Sequence, residues 1–118
     1  MLLVKVGQAF NSHDIDAVME CFATDAIFDH ASSLETYGTR FEGHEALKKV
    51  FGDLFESVQN VSWKTVDERI SGDKAYCEYI RRVTFHDGEC QEFLSVDILT
   101  FKAGLITHKN TYYKNRTH

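Results

Sequence analysis

Between residues 61 and 113 the chain runs through three long alternating strands joined by two tight turns, and those turns dictate which residues face each other. Asp87-Gly88 is the strongest two-residue hairpin signal, because both residues tolerate the positive φ of a type I′ turn. It pairs His86 with Glu89 and sets Glu78 opposite Asp97. Lys102-Ala103-Gly104 reads as a three-residue loop closing on a left-handed glycine, which pairs Phe101 with Leu105 and Asp97 with Lys109. A two-residue Ala103-Gly104 turn would instead bring Asn110 beside Asp97. The first register predicts a Glu78-Asp97-Lys109 row on one sheet face. Directly opposed side chains lie ~5 Å apart at Cβ, and two carboxylates that close cannot both ionise cheaply. One pKa rises while the lysine lowers the other, leaving an acid beside a base near neutral pH. The structural alternative is a buried ion pair that only shapes the interior.

A chain of 118 residues builds one core and one domain, 1–118. The net charge of −5 argues against a nucleic-acid partner, which needs a basic stripe. No apolar run reaches the ~18 residues of a membrane span, and no leader opens the chain, so a cytoplasmic protein is expected. Cys21, Cys77 and Cys90 are odd in number and unclustered, which fits a reducing compartment. No histidine or cysteine pair shows ligand spacing, so neither metal nor cofactor is expected.

Leu3, Val6 and Phe10 mark a short opening helix. Ser12 or Asp14 can cap a second, with Ile15, Val18, Met19 and Phe22 as its apolar face. A short strand at 26–30 follows, then a loop over 31–42. Leu47, Val50, Phe51, Leu54, Phe55 and Val58 give the clearest helix. The remainder is a four-stranded antiparallel meander. Helices followed by such a meander define an α+β fold. In the register above, one sheet face carries Tyr76, Glu78, Phe93, Asp97, Lys109 and Tyr113, and the other carries Tyr79, Val96, Ile98 and Tyr112. Neither is polar enough for water. The helices cover one, and a homodimer interface accounts for the other.

The segments FNSHDIDAVMECFATDAIFDH, FEGHEALKKVF and VDILTFKAGLITHKNTYYK carry a resemblance over nearly the whole chain to the nuclear transport factor 2-like superfamily, specifically its SnoaL-like branch. The resemblance implies a cystatin-like α+β roll: a strongly curved sheet wrapped around the long helix, with a cavity at its open end and dimerisation through the outer face. Ketosteroid isomerases, polyketide cyclases, dehydratases and proteins of unassigned activity share this fold, so fold alone does not set function. The isomerases' general-base aspartate falls at His30, their oxyanion-hole acid at Asp97 and their oxyanion-hole tyrosine at Val6. Only the acid is kept. Cyclases use an acidic residue where this chain reads His108-Lys109-Asn110. The chain is most similar to unassigned members that share Glu78, Asp97 and Lys109.

His30, Asp97, Lys109 and Glu78 are therefore the candidate catalytic residues. His30 suits proton transfer because an imidazole titrates near physiological pH. Tyr37, Phe41, Trp63, Tyr76, Phe93 and Tyr113 are candidates for lining an apolar ligand cavity, each with ordinary core packing as the alternative. Arg81 and Arg82 point to opposite faces, so one is free to pair with or bind an anion. Two functions fit. One is a cofactor-free acid-base enzyme (an isomerase, cyclase or dehydratase) acting on a small apolar carbonyl compound. In it His30 moves the proton, protonated Asp97 donates to the oxyanion, and Lys109 with Glu78 tunes Asp97. The other is a non-catalytic ligand-binding or structural dimeric module.

Overall fold

The computed structural model describes residues 2–31 and 37–114. Three helices, α1 (Leu2–Asn11), α2 (Ile15–Glu20) and α3 (His44–Ser57), lie with six strands. The strands are β1 (Phe22–His30), β2 (Thr39–Glu42), β3 (Asn60–Ser71), β4 (Lys74–Thr84), β5 (Cys90–Lys102) and β6 (Leu105–Tyr113). They form one sheet in the order β2-β1-β6-β5-β4-β3. Only β1 and β6 run parallel. This is the expected α+β roll with one addition. Part of the expected loop is strand β2, which pairs antiparallel with β1.

The helices are short and stable only through packing. Asp14 caps α2 by accepting from the Ala17 backbone N–H at 3.1 Å. Leu47 and Phe51 are the buried centre of α3, and the Phe51 ring lies against Phe10, Phe22 and Phe28. The main core thus sits between the helices and the inner sheet face. At the end of α1, Asn11 holds Trp63 of β3, accepting from its N–H at 2.8 Å and donating to its carbonyl at 3.2 Å.

Both turns close differently from expectation. At the β4–β5 turn, Gly88 N–H donates to Phe85 O at 2.9 Å and Phe85 N–H to Glu89 O at 2.8 Å. Only Gly88 is left-handed there, at φ 88°. The loop is thus the three residues His86-Asp87-Gly88, with Asp87 Oδ1 accepting from Glu89 N–H at 2.9 Å. A type I turn followed by a left-handed glycine competes with type I′ at such sequences, and the Asp87 side chain favours it. The pairing shifts by one residue: Asp97 lies opposite Cys77, and Glu78 opposite Val96. Glu78 and Tyr76 therefore face outward, and Tyr79 faces inward.

At the β5–β6 turn, Ala103 (φ 53°) and Gly104 (φ 78°) are both left-handed, and Lys102 pairs directly with Leu105. This is the two-residue alternative. A bulge between the Phe101–Ile106 and Thr100–His108 pairs then inserts one further residue. Asp97 consequently lies opposite Thr111, and Lys109 opposite Leu99. Lys109 remains on the face of Asp97, one diagonal step away, within reach of a long side chain.

On the outer face, Asp29 of β1 is 1% exposed yet charged. Arg40 of β2 grips it through Nε–Oδ1 at 2.7 Å and Nη2–Oδ2 at 3.0 Å, while His108 of β6 donates to Oδ2 at 2.7 Å. The carboxylate ties three neighbouring strands. Arg40, with help from His108, holds its pKa below the ordinary 3.8 against the cost of burial. A lowered carboxylate pKa contributes stability that is full above the ordinary value and lost as pH falls through the folded-state value. Asp29→Asn is expected to melt several degrees below wild type at pH 7, with the gap closing below about pH 4. Melting curves from pH 3 to 7 check this; a gap independent of pH would refute it.

Candidate functional site

Lys109 is the centre of the inner face. β6 presents it, at 9% exposure, beneath the rings of Phe28, Phe10 and Phe51, with its ammonium 4.7, 5.6 and 5.9 Å from their centroids. Nζ donates to Thr111 Oγ1 at 2.9 Å and to Asp97 Oδ1 at 3.3 Å, and Thr111 Oγ1 donates to the same Oδ1 at 2.7 Å. Burial pushes the Lys109 pKa down, and Asp97 pulls it back up. Two donors converging on Oδ1 make that oxygen an acceptor.

Beyond this cluster opens a cavity of about 310 Å³, large enough for a small organic molecule. His30, Trp63, Asp97, Lys109 and Tyr113 line it, together with Phe28, Phe51, Leu54 and Arg81. A smaller space of about 50 Å³ on the α1 side shares Phe10, Trp63, Asp97 and Lys109, and is also walled by Tyr79. The ion pair thus stands between the two. His30, at the end of β1, rests edge-on against Phe28 and Tyr113 at 5.8 and 5.7 Å. Burial, then the charges of Lys109 and Arg81, lower its pKa from 6.5. The ring is neutral at physiological pH and can accept a proton.

Of the candidate residues, His30, Asp97, Lys109, Trp63 and Tyr113 come together around the cavity. Glu78 does not, because the three-residue hairpin turns it to the outer face. Tyr76 goes with it and is 39% exposed. Tyr37 is 44% exposed under the Arg40 guanidinium, 4.1 Å from its ring centroid. Phe41 stacks against Phe28 at 5.9 Å and Phe93 against Tyr113 at 5.2 Å, each supporting a lining ring. Lining residues not foreseen include Phe28, Phe51, Ser95 and Thr111 in this cavity and Tyr79 in the smaller space, and of the arginine pair the inward one is Arg81. A signal for Arg81 and Tyr79 existed in β4 itself. Ala75, Cys77, Tyr79 and Val83 share one parity with Arg81, whereas Lys74, Glu78 and Arg82 share the other.

The pair's energetics are testable without a ligand. Asp97→Asn strips the buried ammonium of its countercharge and is expected to cost ~3–5 kcal/mol, whereas an apolar replacement of both partners is tolerated far better. Urea unfolding of Asp97→Asn, Lys109→Met and the double variant should give a double loss well below the sum. Additive losses would show that the two side chains are uncoupled.

The comparisons agree with this architecture. A SnoaL-like domain model matches residues 5–109. Among curated proteins, none matches the sequence. Several solved structures share the fold. TerC, co-crystallised with polyporic acid, superposes with a TM-score of 0.84 at 17% identity, covering 96% of this chain and 88% of that one. A hypothetical protein of ketosteroid isomerase-like fold from Catenulispora acidiphila, solved with trimethylamine, gives 0.83 at 18% identity, covering 96% and 85%. A proposed polyketide cyclase from Xanthomonas campestris pv. campestris gives 0.78 at 21% identity, covering 96% and 87%. With its fold shared with these proteins and its sequence matched from residue 5 to 109, the chain belongs to the SnoaL-like domain family.

Proposed function

We propose that this protein is a cofactor-free proton-transfer enzyme, of the isomerase, cyclase or dehydratase type, acting on a small carbonyl compound. The observation that carries the reading is the shared cavity: a neutral imidazole and a buried ammonium face the same apolar space. His30 takes the proton from the carbon beside the carbonyl. The C–H electron pair forms the enolate double bond, and the carbonyl π pair moves onto oxygen. That oxygen gains its charge beside the Lys109 ammonium, in a site whose low dielectric magnifies the attraction. Asp97 and Thr111 position Lys109. His30 then returns the proton to a different atom. Polyporic acid in TerC and the cyclase assignment in Xanthomonas are compatible with an oxygenated planar ligand here.

Hydrogen–deuterium exchange at the α-carbon of small aromatic ketones and β-keto acids, followed by NMR, tests this. Exchange should rise with pH through a value below 6.5, where His30 loses its proton, and fall where Lys109 deprotonates, below 10.5. His30→Gln should slow it by ~10²–10⁴-fold. Exchange unaffected by His30→Gln would overturn the mechanism. Ligand binding without exchange in wild type would favour a binding module instead.

We also propose a homodimer through the outer face, where Ile80, Leu94, Val96 and Ile98 are partly exposed and Tyr112 is 54% exposed. Tyr79, expected on that face, lines the interior instead. Sedimentation at micromolar concentration should give a dimer, and Val96→Glu a monomer; a monomeric wild type would exclude the interface. The three free cysteines support a reducing compartment such as the cytoplasm. No helix among the described residues is long and apolar enough to cross a membrane.

A further inference from the structure

Two cations reach the cavity, and they are not equivalent. Lys109 has its countercharge in contact, Asp97 at 3.3 Å. Arg81, on the inner face of β4, has none in contact among the described residues. Among the described residues no carboxylate forms an ion pair with it. Its guanidinium carbon lies 5.2 Å from the Phe93 centroid and 5.9 Å from that of Trp63, so the group is held on ring faces rather than on an anion. Asp53 also borders the cavity but is engaged by Lys49 at 2.9 Å. Burial makes the Arg81 charge costly, Tyr113 and Asp97 offset that only from a distance, and a guanidinium does not escape by losing its proton. Its planar fork matches a carboxylate, which can accept two parallel hydrogen bonds from it. The surrounding chain carries net negative charge, so an anion gains nothing from the protein at large. Any preference for one must arise at this wall.

We infer that the cavity takes an organic carboxylate, anchored by Arg81, with its apolar or aromatic body lying between Trp63, Phe51 and Phe28. The inference rests on the reading of this cavity as the functional site and names the substrate class: an acid whose carboxylate sits at Arg81, leaving its remaining carbonyl region for Lys109 and His30. The two cations then divide the work. Arg81 binds a charge present throughout, and Lys109, already balanced, meets charge only as it develops.

Isothermal titration with naphthalene-2-carboxylate and its uncharged isostere naphthalene-2-carboxamide tests the anchor without turnover. Wild type is expected to prefer the carboxylate by about tenfold or more, the worth of one charge-assisted paired hydrogen bond. Arg81→Gln should abolish that preference while leaving carboxamide affinity within about threefold. Arg81→Lys keeps the charge but not the fork and should retain part of it. If Arg81→Gln fails to fold, the partial loss in Arg81→Lys alone decides. Equal affinities in wild type, binding of neither compound, or a preference that survives both substitutions would overturn the proposal. His30→Gln should keep the carboxylate preference intact. A failed proton-transfer mechanism therefore shows in wild type as anion selectivity without exchange, or as exchange that His30→Gln leaves unaffected, and a failed anchor shows as His30-dependent exchange without anion selectivity.

Discussion

A lysine ammonium almost out of reach of water is the constraint from which the rest of this interior follows. Burying a charge is expensive unless partners replace its hydration. Here Asp97 and Thr111 supply two oxygens from the neighbouring diagonal and from the same strand, and three aromatic faces cover much of what remains. The rings are therefore more than core filler. Their negative faces are compatible with a cation where aliphatic side chains would not be. They also stand around the ammonium instead of collapsing onto it, and the space left beyond them is the cavity.

The electrostatics of that space follow from the same residues. Lys109 and Arg81 both lower the pKa of His30, in addition to burial, so the imidazole stays neutral and able to accept a proton. The outer face solves the opposite problem: a buried carboxylate, Asp29, is held by Arg40 and His108. Each side of the sheet thus holds a buried charge against a local counterion. One lies open to a cavity and the other joins strands.

Much of this was legible without coordinates. The apolar periodicity of α3, Asp14 as one of two candidate caps, and the succession of helices and strands rest on local rules of spacing and chemistry, whereas His30, which lines the same cavity as Asp97 and Lys109, was singled out mainly through the family resemblance. The Asp97–Lys109 contact was foreseen by an incomplete route. The expected three-residue loop is a two-residue turn, and a bulge near Thr107 then restores the shared face. No compensation occurs at the other turn, so Glu78 leaves the site. A strand has period two, and one residue of slip sends every side chain to the other face.

By itself the sequence determined which residues carry charge, which are aromatic, and which segments coil or extend, because those are properties of residues and their near neighbours. Only the tertiary structure decided which of them meet. Asp87-Gly88 and Ala103-Gly104 each admit two turn geometries separated by little energy, and the choice between them is made by packing across the whole sheet. Val83, Ala75 and Cys77 must be buried, which turns β4 so that Arg81 enters the cavity and Glu78 does not. The charge on Arg81 was readable in one letter. That it ends without a carboxylate partner among the described residues, on two ring faces, beside a compensated lysine, is a consequence of strand register, which long-range packing selects.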